Sequence, residues 1–217
     1  MRLTHINNAV SEIMSSNKTF AVETETIRGI NYPVFKNAPQ NLCEMLKRSF
    51  SSHDDGKAEY LVYQNERWSY DAFCADIKKV AWHLQKEFSV KKGTPVAIAM
   101  RNYPEFIILV MAISALGAKV VFLNAWWTTK ELKYALEESS AKLVFADGPR
   151  TNSIEPLVKD LNLQIIAVRD AEAFWPTRFS DFLKSTTVAK WPEANIEPED
   201  DFSIMLISAG DKKINVI

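Results

Sequence analysis

The sequence predicts an α/β fold with a mainly parallel sheet flanked by helices, and three observations predict it. Short, nearly all-apolar runs (TPVAIAM, KVVFLN, KLVFAD, QIIAVR and FSIMLIS) recur from residue 94 onward, as strands buried on both faces do. Segments with helical apolar spacing separate them, so strand and helix alternate about every 25 residues. Parallel neighbours joined by helices require crossovers of one hand, which puts helices over both faces of the sheet. No repeat at a fixed period supports a solenoid.

In chain order, the first 40 residues are polar, with one alternating stretch (Phe20, Val22, Thr24, Thr26) and breakers at Pro33 and Pro39; they read as an irregular arm. Leu42, Met45, Leu46 and Phe50 follow at helical spacing. YLVYQNERWSY holds two β-prone runs around Gln64-Asn65 and reads as a hairpin. Ser69 can cap a helix with the stripe Phe73, Ile77, Val80, Leu84 and Phe88. His83 lies off that stripe beside Lys79 and Glu87 and is expected on a solvated face. After TPVAIAM, Asn102 and Pro104 open a helix over residues 105–116, since proline fits a first turn whose N–H has no intrahelical partner. Thr128 with Glu131 forms a capping box for a helix through Leu136. SIEPLVKDL and RFSDFLKS complete the helical segments, and a polar linker over 189–201 leads to FSIMLIS.

Composition narrows the function. Lys plus Arg is 26 against 27 acidic residues, a net charge of −1, so no basic footprint for nucleic acid exists. Of the 6 glycines the closest pair, Gly93 and Gly117, is 24 residues apart. A phosphate-cradling loop built on paired glycines needs two within a few residues, so neither dinucleotide nor P-loop motifs occur. Cys43 and Cys74 form no C-x-x-C motif and read as reduced, buried thiols. His5, His53 and His83 are scattered, and no metal-ligand spacing is visible. The N-terminus lacks an apolar leader, and the longest charge-free stretch, Phe106–Ala118, has 13 residues where a spanning helix takes about 20. A cytoplasmic location without a transmembrane segment is the expectation.

Ligands in open α/β sheets bind at strand carboxyl ends, which singles out three loops. They are Met100-Arg101-Asn102-Tyr103-Pro104, Asn124-Ala125-Trp126-Trp127-Thr128 and Ser208-Ala209-Gly210-Asp211-Lys212. Trp126 and Trp127 suit either a stacking or acyl-contact platform or packing over the sheet edge; packing is expected, because tryptophans usually bury area. Arg101 can meet an anion or tie down a loop, and the latter is expected. Asp147-Gly148 reads as a turn.

VAIAMRNYPEF followed by ISALGAKVVFLNAWWTTKELKYALEESSAKLVFAD resembles the N-terminal portion of AMP-forming acyl-CoA synthetases, the adenylate-forming superfamily, in its fatty-acyl-CoA ligase-like branch. WSYDAFCADI is similar to the family's T-Y-x-E-L element, ISALGAKVVFLN to its L-x-A-G-A-x-x-x-P-L-N segment, and INYPVFKNAPQNL to the lead-in of this branch. The resemblance covers roughly residues 20–207 and rests on scaffold motifs. It implies an incomplete N-terminal domain of the synthetase fold over 41–207, after an arm over 1–40.

The resemblance also implies a reaction: a carboxylic acid and ATP give an acyl-adenylate and pyrophosphate, and the acyl group then passes to coenzyme A, with Mg²⁺. The family's phosphate loop, of Y-T-S-G-T-T-G-x-P-K-G type, follows a strand like FSIMLIS. Here the text is LISAGDKKINVI. Ser208 stands where the family's serine stands and is the one nucleotide-binding candidate. Lys212 and Lys213 supply charge at a different spacing. Residues 208–217 therefore read as an aberrant tail at the phosphate-loop position, as an early stop or shifted frame from about Asp211 would leave. The family's metal-holding glutamate, ribose-gripping aspartate and adenylation lysine have no counterparts, so no catalytic residue, metal ligand or cofactor is assigned to this chain. The expectation is a ligase fragment inactive alone, or else a non-catalytic binding module or one half of a split ligase whose partner is a separately encoded remainder. A distinct small enzyme is disfavoured, since no Ser/His/Asp set or carboxylate pair is present.

Overall fold

A computed structural model describes residues 2–51, 56–169, 175–186, 189–209 and 213–216; for residues 2, 3, 207–209 and 213–216 it describes the backbone only. The chain divides into two compact units, residues 1–41 and 42–217.

The first unit is not irregular. It holds a helix α1 (Arg2–Ser16) and an antiparallel hairpin, β1 (Val22–Ile27) with β2 (Ile30–Phe35), in register from Val22 opposite Phe35 to Ile27 opposite Ile30. Arg28 and Gly29 turn the hairpin at positive φ (51° and 81°), the conformation a tight two-residue turn needs. Pro33 does not break β2, because a two-stranded sheet consists of edges and one side of each strand needs no N–H.

The second unit begins with α2 (Leu42–Ser51), whose buried residues are Cys43, Leu46 and Phe50. Leu42 and Met45, expected on the apolar stripe, are exposed, so the buried face is rotated from that expectation. A hairpin of β3 (Glu59–Tyr63) and β4 (Glu66–Ser69) turns at Gln64-Asn65 as expected, with Gln64 at φ 50°. The Ser69 hydroxyl accepts from the N–H of Ala72 at 3.2 Å and starts α3 (Tyr70–Glu87). Phe73, Ile77, Val80 and Leu84 of α3 are fully buried, each contributing roughly 1.5–3 kcal/mol over an exposed position.

Then the alternation sets in: β5 (Pro95–Ala99), α4 (Pro104–Ala115), β6 (Lys119–Phe122), α5 (Thr129–Ser139), β7 (Leu143–Asp147), α6 (Gly148–Ile154), α7 (Val158–Leu161), β8 (Gln164–Val168), α8 (Phe179–Lys184) and β9 (Ser203–Ala209). Gly117, at φ 66°, closes α4: its N–H reaches the Ser114 carbonyl and that of Ala118 the Ile113 carbonyl, which turns the chain into β6. The sheet order is β10-β9-β6-β5-β7-β8. Five strands are parallel, as the sequence predicts; β10 (Lys213–Val216) is antiparallel and occupies the outer side of β9 from Leu206 to Ala209.

Two apolar layers sandwich this sheet. Alternate strand residues Val96, Ile98, Val120 and Phe145 meet α3, α4 and α8, while Ala97, Ala99, Val121 and Val144 meet α5 and α6. The chain moves from β5 to β6, and from β8 to β9, through the first layer. It moves from β6 to β7 and on to β8 through the second. A single crossover hand demands this pairing of direction with layer.

His83 is a correction. It is only 7% exposed: its ring stacks on Phe182 of α8 (4.7 Å between centroids, 8° between planes) and its Nδ1 pairs with the Glu87 carboxylate at 2.8 Å. Docking of α8 on α3 covers a face that helical spacing alone leaves open to water. Both cysteines are free thiols; Cys43 is buried and Cys74 half-buried, and burial pushes both up from their ordinary pKa.

Candidate functional site

The connectivity fixes where an opening must lie. The chain leaves β5 into the first layer and leaves β6, its neighbour, into the second, so the two loops diverge at the strand carboxyl ends. A cleft of about 740 Å³ occupies that place. One wall is Met100–Tyr103 with Phe106, the opposite wall Phe122–Trp126, and the third side Tyr63 and Gln64 from the β3–β4 turn. Phe106 and Phe122 stack at 5.9 Å, and Tyr63 meets Tyr103 edge-on at 6.0 Å.

Two arginines hold this frame, and the sequence reading singled out neither. Arg169, just past β8, donates Nε to both oxygens of Glu105 and its terminal nitrogens to the two oxygens of Glu66, all at 2.8 Å. Its guanidinium lies 5.1 Å from the ring centroid of Tyr63 and 5.2 Å from that of Tyr103. One planar cation thus fastens the β3–β4 hairpin to the start of α4. Hydrogen bonds donated by Arg169 hold the Glu66 carboxyl below its usual pKa, and the same bonds push the guanidinium further up. Arg169 itself sits at φ 51°, a left-handed conformation that a non-glycine residue keeps only where its surroundings enforce it.

Arg150, from α6, joins the loops on the other side. Its Nε donates to the Ala125 carbonyl at 2.8 Å and one terminal nitrogen approaches both Asp147 oxygens at 3.3 and 3.4 Å. The guanidinium lies 5.2 Å from the Trp126 ring. Asp147 in turn accepts from the backbone N–H of Arg101 at 3.1 Å. A buried ion pair therefore binds together the loops after β5, β6 and β7, and Asp147, 2% exposed, is more than a turn residue. The signal was a carboxylate and an arginine three residues apart at a strand end, D-G-P-R.

The expectations for the loops divide. Trp127 packs on the second apolar layer as expected, but Trp126 is 78% exposed, with the Asn124 side chain accepting its backbone N–H at 2.9 Å and the Arg150 guanidinium beside its ring. Arg101 does not tie down its loop: its side chain is exposed at the cleft, and among the described residues its guanidinium has no hydrogen-bond or ion-pair partner. Ser208 is on β9 opposite Ile214, but its side chain lies outside the described residues, as do Gly210, Asp211 and Lys212 entirely.

Chemically the cleft offers aromatic faces, the amides of Gln64, Asn102 and Asn124, and one cation. Among the described residues its lining contains no carboxylate, histidine or cysteine. Among the described residues no three His, Cys, Asp or Glu side chains gather in a group that could hold a metal ion. Nor, among them, is any helix long and apolar enough to cross a membrane.

An open, mainly parallel sheet with a cleft at its switch point is the arrangement in which α/β domains commonly take ligands. A family model described as AMP-binding enzyme matches residues 50–209, and the chain belongs to that family. A 2-succinylbenzoate–CoA ligase of Bacillus velezensis is 34% identical over 120 residues, which is 55% of this chain and 25% of that protein. A long-chain-fatty-acid-CoA ligase from Archaeoglobus fulgidus shares the fold at a TM-score of 0.70 and 16% identity, over 90% of this chain and 39% of the other. An anthranilate CoA ligase in complex with anthranoyl-AMP does so at a TM-score of 0.71 and 19% identity, over 83% and 35%. The chain thus spans a quarter of that curated relative and well under half of the two solved structures.

Proposed function

We propose that this chain is the N-terminal part of an AMP-forming acyl-CoA ligase and that, taken alone, it supplies a binding half and no chemistry. The observation that carries the reading is that the family match, residues 50–209, covers all the strands and loops that build the cleft from β3 to β9. The reaction of the intact enzyme would be carboxylic acid, ATP and coenzyme A to acyl-CoA, AMP and pyrophosphate, with Mg²⁺ and in the cytoplasm. The reacting groups would come from a remainder of the ligase, which is the partner this reading calls for. Supporting inactivity, the cleft lining among the described residues holds no carboxylate, histidine or cysteine, and the sequence has no closely spaced glycines to nest phosphates. Removing a single preorganised donor from such a site costs about 3 kcal/mol of barrier, a factor of roughly 10² to 10³.

Acid-dependent exchange of labelled pyrophosphate into ATP, with the purified 217-residue chain and a panel of aromatic and fatty acids, tests this. Exchange should match the enzyme-free control. Exchange above that control that disappears in Ser208→Ala would show a working phosphate loop and overturn the reading.

A further inference from the structure

Three arginines stand around the cleft, and two of them are matched. Arg150 is paired with Asp147 and Arg169 with Glu66 and Glu105, and none of these five side chains is in the lining. Arg101 is in the lining, and its exposed guanidinium has no partner among the described residues. Its backbone is nevertheless fixed: the N–H donates to the buried Asp147 carboxylate at 3.1 Å, and the carbonyl accepts the Tyr103 N–H at 2.8 Å. A cation with five donors is thus mounted on a clamped strand end and left open to the cleft. Resting on the ligase reading, we propose that Arg101 forms an anion subsite. The cleft then takes a flat aromatic ring whose anionic substituent, other than the carboxylate that would react, pairs with that guanidinium.

Several features fix this class. Phe106 and Phe122 are half-buried, 5.9 Å apart and 24° from parallel; with Tyr63 and Tyr103 they give a flat ring aromatic surfaces to lie against. The described lining holds no carboxylate to compete for Arg101, so an incoming anion meets an uncompensated charge beside walls of low dielectric. A single guanidinium matches one singly charged oxyanion through two parallel hydrogen bonds. A polyphosphate is a poorer match, since the described lining has neither a second cation nor a glycine. The reacting carboxylate is a poorer match too. Its oxygen must attack phosphorus, and a bidentate guanidinium stabilises the charge that makes the attack. At about 740 Å³ the cleft has room for two fused rings and a substituent.

Calorimetric titration of the full 217-residue chain with 2-naphthalenesulfonate and with its neutral isostere, 2-naphthalenesulfonamide, tests the proposal. A sulfonate carries the charge but cannot form an acyl-adenylate, so binding alone is read. The sulfonate should bind at least about fivefold tighter, the scale of one exposed ion pair. Arg101→Gln should bring it to the level of the sulfonamide, whose own affinity should not change. Because the Arg101 side chain is exposed, the thermal midpoint of the variant should match wild type. As a measurement that needs no variant, about 0.5 M NaCl should remove most of the preference in wild type. Equal binding of the two probes, or a preference that survives in Arg101→Gln, overturns the subsite but not the ligase reading, which pyrophosphate exchange tests separately. If 2-naphthyl phosphate binds more than about tenfold tighter than the sulfonate, the single-charge assignment is overturned and the subsite belongs to a phosphorylated ligand.

Discussion

Arg169 satisfies two carboxylates and two aromatic rings from one guanidinium, which only a planar fork can do. Arg169→Lys should therefore fail to substitute. A lysine offers a point charge, and the hairpin should loosen although the charge is kept. Because the pairs are partly exposed and screened, the loss should be about 1–2 kcal/mol, read as a lowered urea midpoint. Amide exchange over residues 61–68 should speed up more than exchange in β5. Uniform acceleration in both would show that Arg169 contributes only general stability. Little of this was legible. Arg169 follows QIIAV as any charged residue may follow a strand, and its partners are 64 and 103 residues away. Trp126 was misread for a related reason: residue type argues for burial, whereas the ring stands exposed beside the Asn124 turn and Arg150, 24 residues further on.

Elements were far more legible than residues, because caps and apolar periodicity are local. The Thr128 hydroxyl accepts from the Glu131 N–H at 3.4 Å, and the Thr128 N–H donates back to the Glu131 carboxylate at 2.8 Å, the reciprocal pair foreseen from the spacing. Thr128→Ala should cost about 1 kcal/mol by equilibrium denaturation, and Thr128→Ser should restore most of it. Equal losses in both variants would show that methyl packing, not capping, matters at this position. Where local signals misled, a contact between elements overrode them. His83 was placed in water by its position on α3 and is buried by Phe182 of α8. The N-terminal hairpin was hidden by Pro33, which a two-stranded sheet accommodates.

On the scale of the whole molecule, three carboxyls among the described residues are held below their usual range and act together. Glu66 is lowered by hydrogen bonds from Arg169, Glu131 by the Thr128 N–H and hydroxyl, and Asp200 by Lys92 and then the Glu197 N–H. Such groups stabilise the fold fully above the ordinary carboxylate value of about 4, and the contribution is lost as pH falls through their lower folded values. Asp76 works the other way: burial raises its pKa, so acid relieves it. With three groups against one, Tm should be level between pH 7 and 5 and fall steeply below about pH 4. Calorimetry at several pH values checks this, and a Tm unchanged down to pH 3 would mean that the bridges contribute nothing. The fold class was legible at this scale because a buried parallel strand must be apolar on both faces. The strand order was not written locally, and with it the place of the cleft.

That cleft lies where it does because consecutive excursions of the chain pass on opposite sides of the sheet, and Arg150 and Arg169 hold its walls. The place of such an opening, set by the order of strands, is kept through substitutions that leave the strands in place. Its walls can be rewritten one residue at a time across a lineage while the vestibule stays where it is. Arg150 and Arg169 are then the fixed stakes around a plot whose contents are free to change, and divergence in ligand preference needs no divergence in fold.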